Sequence, residues 1–122
     1  MTLKINPELD IKHLNQIYGD DATIIHMIFD AFITDSYPRW IALKNVITQN
    51  DFKEGGSILH GIKPSFAMAG ITWLKPKIEE MELLLKEPAP TEVIMGRYEE
   101  INNQLDHLIP LLKSESERLA TL

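Results

Sequence analysis

Leu59-His60-Gly61-Ile62-Lys63-Pro64-Ser65-Phe66-Ala67-Met68-Ala69-Gly70-Ile71-Thr72-Trp73-Leu74 is the segment around which the rest of the chain is organised. With Ile58 just ahead of it, the apolar residues Ile58, Leu59, Ile62, Phe66 and Ala69 recur at spacings of three and four. That is the pattern of one buried helical face. His60 lies off the stripe. Its own face carries Lys53, Gly56, Ser57, Lys63, Pro64 and Ala67. Lys63 follows His60 by three residues, which makes the two neighbours on a helix. A cation beside a histidine suits a ring that briefly carries a phosphoryl group, because the added charge is strongly negative.

The neighbours of His60 are small. Gly56 and Pro64 lie one turn before and one turn after it, and Gly61 and Ala67 extend the same low surface. A helical glycine costs roughly 1 kcal/mol relative to alanine. Close approach of a partner to His60 would offset the cost of the Gly55-Gly56 pair.

Outward from this segment the chain reads as helices. Asn50-Asp51 marks the start of the His60 helix, and Asp51 with Glu54 has capping-box spacing. Gly70 is a natural C-terminal glycine. Pro64 cannot donate to the carbonyl of His60, four residues back. Ile71 to Lys86 reads as the next helix, with Pro76 in its first turns. Lys86-Glu87-Pro88-Ala89-Pro90 is a loop, after which Thr91 is expected to cap a long last helix. Ile94, Tyr98, Ile101, Leu105, Leu108 and Leu112 form its seam, Pro110 is expected to kink it, and the polar tail after Ser114 is expected to fray.

Upstream, a short helix over about residues 9–18 buries Leu9, Ile11, Leu14 and Ile17 and stops at Gly19. Asp20, with Asp21 beside it, is expected to cap the following helix. Its stripe is Ile24, Ile25, Ile28, Phe29, Phe32 and Ile33, and it resumes as Trp40, Ile41, Leu43, Val46 and Ile47. Pro38 falls between the two halves, read as one kinked helix to about Gln49.

The His60 segment resembles the signature of histidine phosphotransfer (HPt) domains, the relay modules of two-component signalling. Their helical pattern runs His-x-x-Lys-Gly-x-x-x-x-x-Gly, with Leu or Ile before the Lys. His60, Ile62, Lys63 and Gly70 match it, whereas Pro64 replaces the usual glycine. Leu14, Asp20, Phe29, Phe32, Leu43 and Asp51-Phe52 fall at the family's apolar and capping positions upstream. Leu74 and the run Ile78-Glu79-Glu80-Met81-Glu82 resemble its next helix. The resemblance covers about residues 9–86, and the last helix is generic.

The resemblance and the helical pattern together imply an all-α fold: an antiparallel four-helix bundle with a short additional N-terminal helix, residues 1–122 forming a single domain. The implied activity is relay of a phosphoryl group between receiver-domain aspartates through His60, with Lys63 stabilising the group. The family has a glutamine or glutamate twenty-two positions after the histidine that lies next to the ring. That position is Glu82, which would orient it. Lys86 could assist Lys63, and Lys75 and Lys77 could meet a receiver's acidic pocket, although a solvated surface charge is the default reading of each. The implied partners are a response-regulator receiver domain and a sensor (hybrid) histidine kinase, met at Gly56, Gly61, Pro64 and Ala67. No cofactor and no ATP-dependent kinase activity are implied. Two rival readings stay open. One is an adaptor that binds a signalling partner without phosphotransfer, suggested by Pro64. The other is the phosphoacceptor domain of a larger histidine kinase, suggested by Glu82.

Composition limits the alternatives. The chain has 122 residues, 44% hydrophobic and 25% charged, with formal net charge −6. One domain with one core fits this length. The negative balance argues against nucleic-acid binding. No run of eighteen apolar residues marks a membrane span, and Met1 to Glu8 reads as no signal segment. The absence of cysteine removes disulfides, thiolate catalysis and cysteine-ligated metal. A cytoplasmic monomer is the expectation. Helical two-metal sites use Glu-x-x-His pairs, and the sequence has none; Asp10-x-x-His13 is its nearest approach. No nucleotide loop, Gly-x-Ser-x-Gly or zinc spacing occurs.

Overall fold

The computed structural model describes residues 3–122. Among them every regular element is helical: α1 (Ile11–Tyr18), α2 (Ala22–Ala31), a π turn (Phe32–Ser36), α3 (Tyr37–Thr48), α4 (Phe52–Met68), a 3-10 turn (Thr72–Leu74), α5 (Lys75–Lys86) and α6 (Thr91–Ala120). No helix among them is long and apolar enough to cross a membrane. Helix α4 packs between α3 and α5, and α6 packs against α2, α3 and α5.

Local chemistry explains most of the boundaries. Asp10 caps α1 by accepting from the His13 amide, and its second oxygen accepts from the Thr72 hydroxyl at 2.5 Å. These bonds hold its carboxyl below the usual carboxylate range, the Thr72 bond foremost. Gly19 ends α1 at φ +60°. The cap of α2 is Asp21, which accepts from Ile24 N at 3.0 Å, and not Asp20 as the sequence suggested. Asp20 instead accepts from Leu3 N at 2.7 Å, tying down the N-terminal arm. Ile17, expected inside, is 50% exposed. Tyr18 turns inward in its place and donates to Met68 O.

From Ala22 to Thr48 the backbone is continuously helical. Pro38 has no N–H, and its ring would strike the carbonyl four residues back. The π turn directly upstream, closed by Tyr37 N–H to Phe32 O, widens the helix there. Asp51 caps α4 through Glu54 N at 3.3 Å. The Asp51 amide is taken by Val46 O, so the capping box is half formed.

The α4–α5 corner depends on Gly70. Its φ is +80°, and an added Cβ would sit 2.8 Å from Leu14 Cδ1. Its carbonyl accepts from Asp10 N at 2.8 Å, which fixes α1 to this end of α4. At this corner Ile71 is fully buried, whereas Met68 and Trp73 are exposed.

Thr91 does not cap α6. The helix starts after Pro90, and the Thr91 hydroxyl donates to Asn50 Oδ1 at 2.6 Å. Nor does the helix fray after Ser114: it continues through Pro110 to Ala120, with Glu115, Ser116 and Leu119 buried. The polar tail is held because its groups have partners. Glu115 accepts from Arg118 at 2.8 Å and from Asn6 N at 3.1 Å. The Ser116 hydroxyl meets His26 Nδ1 at 2.8 Å and Asp30 at 3.0 Å.

An aromatic cluster centres the core. Trp40 stacks on Tyr98 with ring centroids 4.3 Å apart, and Phe66 meets Phe32 and Trp40 edge-on. The buried polar tips are satisfied: Tyr98 donates to Trp40 O, and Trp40 Nε1 donates to Asn102.

Candidate functional site

The core contacts of α4 set the direction in which His60 points. Leu59, Ile62 and Phe66 are buried and Gly55 is closed over, so the helix cannot rotate. His60 is thereby turned outward, its side chain 78% exposed. Lys63 and Glu82 flank it at the α4–α5 seam and are mostly covered.

Glu82 binds both. Its Oε2 lies 3.3 Å from His60 Nδ1 and its Oε1 2.9 Å from Lys63 Nζ. Partial burial opposes ionisation of Glu82, but Lys63 and His60 together hold its carboxyl below the usual range. Glu82 in turn raises the pKa of Lys63, chiefly through their hydrogen bond. The carboxylate is therefore the acceptor for Nδ1–H, a role that selects one ring tautomer. In the neutral ring Nε2 then carries the lone pair, and among the described residues it has no hydrogen-bond partner.

Three of the four sequence-derived neighbours line two hollows. Gly56 lies in a groove of about 670 Å³ with Phe52, Lys53, Glu82, Leu83 and Leu85. A Cβ at Gly56 would lie 3.9 Å from Leu85 Cβ, so its space is open. Lys86 also lines this groove. Pro64 and Ala67 lie in a second hollow of about 310 Å³ with Lys63, Phe66 and Lys75. Lys77 is not at the site; it pairs with Glu100 of α6 at 3.2 Å.

Two glycine readings change. Gly55, read with Gly56 as partner clearance, is a packing residue whose Cβ would touch Leu85, Leu43 and Ile47 at 3.4–3.7 Å. Gly61 is exposed, but it lies beneath a side chain: a Cβ there would be 2.8 Å from Nη2 of Arg39, on α3. Arg39 was not legible as a site residue. Its level along α4 depends on the π turn ahead of Pro38, for which the sequence carries only the proline as a signal.

The other histidines are elsewhere. His26 is bonded to Ser116, and His107 pairs with Glu8. The Nε2 of His13 is buried without a partner among the described residues. No group of three or more acidic or histidine side chains there is arranged to hold a metal. Comparison of the chain with protein-family models, with curated proteins and with solved structures finds no match in any of the three.

Proposed function

We propose that this protein is a histidine phosphotransfer domain, an antiparallel four-helix bundle with a short additional N-terminal helix, that carries a phosphoryl group on His60. The observation that carries the reading is the Glu82 bond to Nδ1 of a histidine that is otherwise exposed. It leaves Nε2 free as a nucleophile, the orienting logic that a carboxylate–histidine pair uses elsewhere.

In the transfer, the Nε2 lone pair attacks the phosphorus of an aspartyl phosphate on a receiver domain. The N–P bond forms, the P–O bond to aspartate breaks, and the carboxylate leaves with its electron pair. Nδ1 keeps its proton throughout, held by Glu82. Lys63 then faces two anions, Glu82 and the new phosphoryl group, and can bridge them. The receiver supplies the metal ion and most of the charge stabilisation. The reverse reaction delivers the group to a second receiver. The partners are a sensor (hybrid) histidine kinase and a response regulator, and the setting is the cytoplasm.

Incubation with receiver domains charged by acetyl phosphate tests this. Label that is acid-labile, base-stable and lost in His60→Gln supports the reading. A second reading, a partner-binding adaptor, draws support from Pro64 and from the engagement of Lys63 by Glu82. Binding without label would favour it.

A further inference from the structure

Arg39 has a seat and few partners. Its guanidinium lies against the backbone of α4 at Gly61, the residue after His60, where an added Cβ would come within 2.8 Å of Nη2 and make the guanidinium shift. Its one ion pair, with Asp35, is long at 3.8 Å, and both side chains are largely exposed. Among the described residues it makes no hydrogen bond. Five N–H donors are thus presented beside α4 with little to bind. A guanidinium so presented is a ready fork for a carboxylate.

Its position relative to the site is informative. Glu82 and Lys63 lie on the α5 side of His60. Arg39 reaches the opposite flank, from α3. The helical glycine that makes the seat costs roughly 1 kcal/mol relative to alanine. Gly61 is exposed, so core packing does not demand it.

We infer that Arg39 is a specificity-determining docking residue, whose guanidinium pairs with an acidic side chain on the receiver face that surrounds the phosphoaspartate. The inference rests on the phosphotransfer reading. Arg39 does not touch the transferring group; it helps select and hold the partner that brings it. Gly61 is part of the same device, because its bare Cα lets the guanidinium lie on α4 one residue past His60.

The test measures transfer to His60 from two donors. One is a receiver domain charged with acetyl phosphate, taken as the fastest of a purified panel. The other is phosphoramidate, too small to reach Arg39. For Arg39→Ala, receiver-dependent transfer at low protein concentration should fall about tenfold, with a flatter salt dependence. The saturated rate and phosphoramidate labelling should be unchanged. Arg39→Lys should recover only part of the loss, because it lacks the fork. Gly61→Ala should slow the receiver reaction by itself and add little on the Arg39→Ala background. Equal receiver kinetics in wild type and Arg39→Ala would overturn the inference. So would a parallel loss with both donors, which would mark Arg39 as structural. If wild type takes label from phosphoramidate but Arg39 variants alone behave normally, the phosphotransfer reading stands without the docking residue. If wild type takes label from neither donor, the phosphotransfer reading falls, and the Arg39 role with it.

Discussion

Oε2 of Glu82 lies 3.3 Å from Nδ1 of His60, across the α4–α5 seam. The contact joins a mostly covered carboxylate to a mostly exposed ring, and it decides which ring nitrogen faces solvent. Replacing Glu82 with glutamine keeps an acceptor but removes the charge. Glu82→Gln should therefore accept phosphoryl groups more slowly than wild type and faster than Glu82→Ala. Rapid-quench transfer assays on the three proteins check the order; equal rates would remove Glu82 from the site.

The same carboxylate makes a pH prediction. Its folded-state pKa is below the ordinary 4.5. Its contribution to stability is then present above the unfolded value and is lost as pH falls through the folded one. Urea midpoints of wild type and Glu82→Gln should differ at neutral pH and converge at pH values below the ordinary carboxylate range. A gap that persists in acid would mean that packing, not charge, sets the difference.

Lys63 is engaged by Glu82, and Glu82 keeps its contact with His60 when the lysine is removed. Lys63→Ala should leave the melting temperature nearly unchanged. It should disfavour the phosphorylated form about tenfold, the order of one charge-assisted hydrogen bond. The transfer equilibrium against a fixed receiver measures this directly, and an unchanged equilibrium would confine Lys63 to the ion pair.

Gly56 and Gly96 form a matched pair. Both have open space where a Cβ would go, but only Gly56 lines the groove beside His60. Gly56→Gln and Gly96→Ala should each raise stability, by roughly 0.5–1 kcal/mol. Only Gly56→Gln should slow transfer from a receiver. Normal transfer in a more stable Gly56→Gln would move the docking surface away from this groove.

Gly70→Ala should destabilise by roughly 1–3 kcal/mol, since it combines a strained φ with a clash. The clash is with Leu14 at 2.8 Å, so the loss should be smaller on a Leu14→Ala background. Denaturation of the two singles and the double checks this, and strict additivity would leave backbone strain as the whole cause.

The sequence carried the helices and the direction of His60 well, because both follow from the three-and-four spacing of Leu59, Ile62 and Phe66. The His60–Glu82 pairing was legible only through a family resemblance. Spacing within α4 says nothing of which residue of α5 comes level with it. Three features were not legible for a common reason: they depend on contacts between distant segments. Asp20 looked like a cap until Leu3 claimed it. The tail after Ser114 looked loose because its partners, Asn6, His26 and Asp30, are far back in the chain. Arg39 carries no signal of its own in the sequence, because its place against Gly61 depends on how α3 packs on α4.

The proposed function stands or falls on phosphorylation of His60 at Nε2. The most direct measurement is phosphorus NMR of the protein after incubation with a charged receiver domain, with His60→Gln alongside. That variant should stay folded, because an exposed substitution usually changes stability by less than about 0.5 kcal/mol. Wild type should show the acid-labile, base-stable phosphoramidate resonance of an Nε2-linked phosphohistidine, and His60→Gln should show none. A folded wild type that never takes up phosphorus, or label that survives in His60→Gln, would contradict it.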